Sequence, residues 1–256
     1  MRLKDKISIV TGSAAGLGKV IALAMAEEGA RVVVCDVNEQ ALQTTAKEIE
    51  QISKPALPVL ADVSDKKQVA RMVQKAIDTF GRIDILVNNA GGALHTPHKL
   101  EEVDEKDWDK VVNINLKGAF LCSQAVIAQM RKQGTGGKIV NISALAGRSY
   151  ATLAGVQYTS AKAGIGGLTR HLAREVGPFG INVNAVAPSV MLTGERVRGL
   201  WEAKTEEERK KVIEEIPLRR LAEPREIARV VVFLASDDAS YVTGVTLDVN
   251  GGRFMT

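Results

Sequence analysis

Seven short β-branched runs, separated by longer stretches of 3.6-residue periodicity, constrain this chain more than any other feature. They are Ile7 to Val10, Val32 to Cys35, Leu57 to Leu60, Ile83 to Val87, Lys138 to Ile142, Ile181 to Ala187 and Val245 to Val249. Strands that alternate with helices pair through βαβ crossovers, which builds a parallel sheet with helices on both faces. Strands covered on both faces should be apolar throughout, as Val32-Val33-Val34 and Ile85-Leu86-Val87 are. The pattern predicts an α/β, doubly wound, mostly parallel sheet of seven strands. With 256 residues, 45% of them hydrophobic, and no low-complexity linker or repeat, one domain over 1–256 is the simplest organisation.

Ligands of such folds bind beyond the carboxyl ends of the strands. The first strand runs into Thr11-Gly12-Ser13-Ala14-Ala15-Gly16-Leu17-Gly18, and a helical pattern follows from Gly16 to Glu28. Glycines here allow a tight turn, close approach of backbone N–H groups to a pyrophosphate and close helix–sheet packing, while the helix turns its positive end to the phosphates. Asp36 ends the second strand 18 residues beyond Gly18. That is near the spacing of about 20 expected for a carboxylate on an adenosine ribose. It would repel the 2′-phosphate of NADP, and the turn holds no arginine or lysine to compensate, so NAD is the expected cofactor. Asp62, followed by Val63 after the third strand, has two readings: acceptor for an adenine amino group, or N-cap of the helix near Ser64 or Asp65.

Tyr158 and Lys162 stand four apart on a predicted helix and so share a face. A phenol of pKa about 10 is a poor base at neutral pH, but a lysine ammonium and a positive nicotinamide ring both favour the phenolate.

With these motifs the chain resembles the short-chain dehydrogenase/reductase family, in its branch of about 250 residues and over essentially its whole length. Thr11 to Gly18 matches T-G-x-x-x-G-x-G, Asn88-Asn89-Ala90-Gly91 matches N-N-A-G, and Tyr158 to Lys162 matches Y-x-x-x-K. Asn113-Ile114-Asn115-Leu116 and the tail through Asn250-Gly251-Gly252 are also similar. The resemblance implies a Rossmann fold and hydride transfer between NAD and a secondary alcohol or ketone, of the polyol, sugar or hydroxy acid class. It implies Tyr158 as base, Lys162 also on the nicotinamide ribose, and the main chain of Asn115 on a relay water. Ser13, Leu17, Asn89, Ala90, Gly91, Pro188, Met191 and Thr193 join Gly12, Gly16, Gly18, Asp36, Asp62 and Val63 as expected cofactor contacts. It also implies a homotetramer.

Two departures stand out. The family's serine, three residues before the glycine of its loop, falls on Ala144 when counted from Gly147, and Ser143 is one residue early. Adjacent strand residues face opposite ways, so Ser143 serves as the catalytic serine only if the strand has ended there. Ser149, Thr152 or a site without a serine are the alternatives. Pro188-Ser189 replaces the usual Pro-Gly.

Residues 191–216 resemble the family's substrate lid. Trp201 either lines its pocket or anchors it, and Thr205 to Glu208 forms a capping-box pattern. A 3-oxoacyl-acyl-carrier-protein reductase is the alternative function. Against it stand Asp36 and the uncharged Phe179, where acyl-carrier-binding relatives often carry arginine. A dinucleotide-binding protein without turnover is a further alternative, motivated by Ala144 and Ser189.

The net charge of +4 is spread along the chain, and the densest run, Glu206 to Lys211, mixes signs, so nucleic acid is not an expected partner. Cys35 and Cys122 read as buried thiols, and His95 and His98 lack a ligand cluster, so no metal is expected. The N-terminus leaves no room for a signal peptide before the first strand, and no uninterrupted apolar run reaches about 18 residues. A soluble, cytoplasmic enzyme is the expectation.

Overall fold

The computed structural model describes residues 1–151 and 153–255, with backbone only at 195 and 196. The strands are β1 (Ile7–Thr11), β2 (Arg31–Asp36), β3 (Leu57–Leu60), β4 (Ile85–Asn88), β5 (Gly137–Ile142), β6 (Ile181–Pro188) and β7 (Thr246–Val249). They form one sheet in the order β3-β2-β1-β4-β5-β6-β7, with every pair parallel. The order reverses between β1 and β4, the switch point where a doubly wound sheet opens a crevice.

The helices are α1 (Gly16–Glu27), α2 (Glu39–Glu50), α3 (Lys66–Phe80), α4 (Glu105–Val112), α5 (Gly118–Gln133), α6 (Val156–Val176), α7 (Gly194–Glu202), α8 (Glu206–Glu214) and α9 (Pro224–Ala235). Alternation along β2 divides the core. Val32 and Val34 join Ile21, Met25 and Val231 of α1 and α9 on one face, while Val33 and Cys35 join Met72, Cys122 and Val126 of α3 and α5 on the other. Both cysteines are buried and free, and desolvation raises both thiol pKa values.

A buried polar chain fixes α5 and α6 on the sheet. Asn88 Nδ2 donates to Ser123 Oγ and to Asn141 Oδ1, and Asn141 Nδ2 donates to Thr169 Oγ1, at 2.8–3.0 Å. Buried amides must find such partners, and here they set the register of α6 against β5.

α4 and α5 join through a π-helical turn, Asn113–Lys117, into one helical stretch, Glu105–Gln133, apolar and long enough by composition to cross a membrane. Half of its most apolar window is buried, and α5 supplies Leu121, Cys122, Val126 and Met130 to the core below the sheet. It therefore reads as a core helix. At the other end of the chain, the predicted capping box of α8 is present: Glu208 N donates to Thr205 Oγ1 and Thr205 N to Glu208 Oε2.

Candidate functional site

A cavity of about 710 Å³ opens at the carboxyl ends of the strands, within the size range of cofactor sites. The expected site residues line it, except Ser13 and Asn115, which stand behind its wall.

The glycine turn forms its floor. Gly12 and Gly16 have φ of +65° and +58°, a region in which side chains are disfavoured. Gly18 has ordinary φ but no room: a Cβ there would lie 2.1 Å from Gly12 O and 2.3 Å from Asn89 Nδ2. That amide donates to both Thr11 O and Gly12 O at 2.9 Å, and the Thr11 hydroxyl accepts from Asn89 N and Ala90 N. The N-N-A-G segment is thus bolted to the turn. Gly18→Ala is expected to destabilise the fold by about 3 kcal/mol, the upper end for overpacking, because backbone must move. Thermal melting checks this, and an unchanged midpoint would show that the turn yields.

Ser13 is a correction to the expected cofactor contacts. Its side chain is fully buried, donating to Val10 O at 2.8 Å and accepting from Cys35 N at 2.9 Å. The hydroxyl ties the turn to β1 and β2 because buried backbone needs partners.

The N-terminus of α1 has no side-chain cap, and Ala15, Gly16 and Leu17 line the cavity there. Its first N–H groups are thereby left for an anionic ligand. Asp36 also lines the cavity. One carboxylate oxygen accepts from Ala14 N at 3.1 Å and the other from Val37 N and Asn38 N. Asp62 accepts from the N–H and hydroxyl of Ser64 at 2.8 Å, whereas Asp65 caps α3. Of the two readings for Asp62, the N-cap is thus excluded.

Tyr158 and Lys162 project from α6 into the same cavity, with Lys162 Nζ 5.7 Å from the phenol ring centroid. The ammonium donates to Ile142 O at 2.7 Å, and its burial pushes its pKa down to about 8. Gln157, the residue before the tyrosine, is fully buried and donates to Thr96 Oγ1 and Pro97 O. It pins the loop after β4, in which Leu94 and His95 both have positive φ and line the cavity.

β5 ends at Ile142, so Ser143 is freed from strand alternation, and it lines the cavity. Its hydroxyl nevertheless donates to Lys162 O at 2.9 Å. The proton is committed to the main chain of α6, and Ala144 presents only a methyl group. Ser149 lies in an adjoining chamber, and Thr152 is outside the described residues.

Asn115 sits within the π turn and is 2% exposed. Its amide donates to Gly92 O and Val111 O and accepts from Gly92 N. Such turns recur at functional sites, but nothing in residues 113–117 announces one. Of residues 191–216, Met191, Thr193, Gly194 and Val197 line the cavity and Trp201 does not. Arg253 also lines it and went unrecognised in the sequence, being isolated near the C-terminus with no motif around it. No cluster of three His, Cys, Asp or Glu side chains suited to a metal occurs among the described residues.

A family model described as enoyl-(acyl carrier protein) reductase matches residues 12–253. A hydroxy(phenyl)methylsuccinyl-CoA dehydrogenase subunit of Thauera aromatica is 42% identical over 256 residues, covering 100% of this chain and 99% of that protein. A 3-oxoacyl-acyl-carrier-protein reductase of Thermotoga maritima is 40% identical, covering 98% of this chain and 99% of that protein. Among solved structures, levodione reductase aligns with a TM-score of 0.90 at 36% identity, covering 98% of both chains. A putative short-chain alcohol dehydrogenase from Sinorhizobium meliloti aligns with a TM-score of 0.91 at 37% identity, covering 98% of this chain and 97% of that one.

Proposed function

The chain belongs to the short-chain dehydrogenase/reductase family, and from that premise we propose that it transfers hydride between NAD and a secondary alcohol or ketone. One observation carries the reading: Tyr158 and Lys162 line the same cavity as the glycine turn and Asp36. The fit to a dinucleotide rests on the crowded glycine turn and on the uncapped start of α1 facing the cavity.

Gly12, Gly16, Leu17 and Gly18 would hold the pyrophosphate against α1, and Asp36 would accept hydrogen bonds from the adenosine ribose. Asp62 and Val63 would meet the adenine, Asn89, Ala90 and Gly91 the middle of the molecule, and Pro188, Met191 and Thr193 the nicotinamide end. When bound, NAD supplies the acceptor for a hydride from the alcohol carbon. Tyr158 takes the hydroxyl proton, and the Lys162 ammonium favours the phenolate that does so. Asn115 holds Gly92 in place through its amide and packs against Gly91, and its main chain is proposed to hold the relay water. Ser143 would stabilise the reacting oxygen only by giving up its bond to Lys162 O. Residues 191–216 would cover the substrate. By family likeness we read the enzyme as a cytoplasmic homotetramer that binds no nucleic acid or metal.

A second reading, reduction of a 3-oxoacyl-acyl-carrier-protein, is favoured by the relative from Thermotoga maritima. The guanidinium of Arg131 also lies 4.0 Å from the centroid of the half-exposed Phe179 ring, so a cation does stand beside that uncharged position.

NADH production across secondary alcohols, polyols, sugars and hydroxy acids, with NAD and NADP in parallel, separates the two. NAD is expected to win, and a clear NADPH preference would favour the carrier-protein reading. Asp36→Ala should narrow the NAD to NADP ratio in kcat/KM by about tenfold or more, since a carboxylate beside a phosphate is a like-charge contact. An unchanged ratio would remove Asp36 from the ribose.

A further inference from the structure

Charge is segregated along the cavity. Among the charged residues that line it, Asp36 and Asp62 lie at the ends of β2 and β3, whereas Lys162 and Arg253 lie in the other half, beside His95. That half holds no carboxylate among the described lining residues. Lys162 and His95 flank the reacting centre from α6 and the β4 loop. Arg253 comes from the far C-terminus and has no part in the chemistry proposed above.

Arg253 is built into the wall. Its side chain is 6% exposed, and it is carried by a turn in which the Asn250 side chain accepts from Gly252 N and donates to Phe254 O at 2.9 Å. Gly251 and Gly252, both at positive φ, let that turn pack on Ile216 and Pro217 at the end of the lid. Nε and one terminal nitrogen both donate to a single oxygen of Glu215, whose side chain is 50% exposed. The other terminal nitrogen has no acceptor among the described residues.

Beside it a side chamber of about 330 Å³ is lined by Leu145, Ser149, Tyr150, Glu215, Arg253 and Phe254. Leu145, Tyr150 and Arg253 line both spaces, so the chamber adjoins the reaction cavity. Its chemistry is an apolar wall from Leu145 and Phe254, two hydroxyls, and a guanidinium held by one movable acid.

We infer that this chamber is a substrate subsite in which Arg253 binds a carboxylate carried on a short carbon arm of the hydroxy or keto substrate. A carboxylate fits better than a phosphate dianion. A single planar guanidinium matches it in charge and fork geometry, and Glu215 already occupies that place as an internal stand-in. Substrate would displace Glu215, whose exposed side chain can swing into water. The inference rests on the oxidoreductase reading and narrows its substrate to hydroxy acids with a distal carboxylate.

The test is calorimetric titration of succinate, and of its neutral dimethyl ester, into the full-length enzyme saturated with NADH. Succinate should bind wild type, and Arg253→Gln should weaken it by about tenfold or more, as expected for a lost hydrogen bond to a charged group. Glu215→Gln, at a half-exposed position that leaves the fold intact, should tighten succinate severalfold by removing the competing acid. The ester should respond to neither substitution. Equal succinate affinity in wild type and Arg253→Gln, no binding by wild type, or weaker binding by Glu215→Gln would each overturn the subsite. NADH titration alone keeps the two readings apart: retained NADH affinity with failed succinate binding removes the subsite only, whereas absent NADH binding removes the NAD-dependent hydroxy-acid reading and the subsite with it.

Discussion

Tyr158→Phe is expected to lower turnover by about 10²–10⁴-fold, the range that a positioned general base contributes, while NADH affinity changes little. The substitution removes one oxygen and keeps the ring, so packing around α6 is preserved and the loss reports proton transfer. Lys162 is the reason the loss should be large. Its ammonium is buried beside the phenol, 5.7 Å from the ring centroid, and it donates to the main chain at Ile142 instead of pairing with an acid. No carboxylate shares that end of the cavity among the described residues, so nothing there offsets its pull toward phenolate. Steady-state NADH production gives turnover, and calorimetry gives affinity. A variant that keeps more than a tenth of wild-type turnover would displace Tyr158 from the base role. A variant that also fails to bind NADH would point to collapse of the site.

How far this site could be read before the fold was known depended on whether chemistry was carried by spacing. The strand runs were long and β-branched enough to place every strand within two residues of its observed bounds, and the apolar runs of β1, β2 and β4 are buried on both faces as expected, whereas the edge strands β3 and β7 are covered only in part. The glycine turn was legible because its demands are local: positive φ at Gly12 and Gly16 and a missing Cβ at Gly18 follow from glycine alone. Side-chain direction was not legible. Ser13 and Ser143 sit where a hydroxyl could have met a ligand, but backbone carbonyls brought close by the fold, Val10 O and Lys162 O, claim them. Asp62 is a good cap for a helix that starts near Ser64 or Asp65, and only the observed start of α3 at Lys66 gives that role to Asp65. Arg253 became visible only when the turn after β7 and the end of α8 brought residues 215 and 253 together, a contact across 38 positions that no local pattern encodes.

Lys162→Met is expected to do two opposite things, and their combination distinguishes a strained functional cation from a structural one. Turnover should fall by about two orders of magnitude or more, since the phenolate loses the charge that favours it. The protein without cofactor should nonetheless become more stable near neutral pH. Burial pushes the lysine pKa down from 10.5 to about 8, so the folded state disfavours the ammonium by about 3 kcal/mol relative to the unfolded chain wherever lysine is charged in both. Methionine fills similar space without a charge. It forfeits the bond to Ile142 O, a cost of about 1–3 kcal/mol that water reduces because Ile142 lines the open cavity. The net gain should be about 1 kcal/mol or somewhat more. Its pH dependence has a fixed sign. Below pH 8 both states of wild type bind the proton and the penalty is complete. Between about 8 and 10.5 the unfolded chain binds more protons than the folded one, so wild-type stability rises with pH and the advantage of methionine shrinks. Denaturant melts of both proteins from pH 7 to pH 10 measure that difference. A gap that stays constant or widens as pH rises would show that Lys162 is not buried against its own charge, and the physical account of how this site favours proton transfer to Tyr158 would lose its main support.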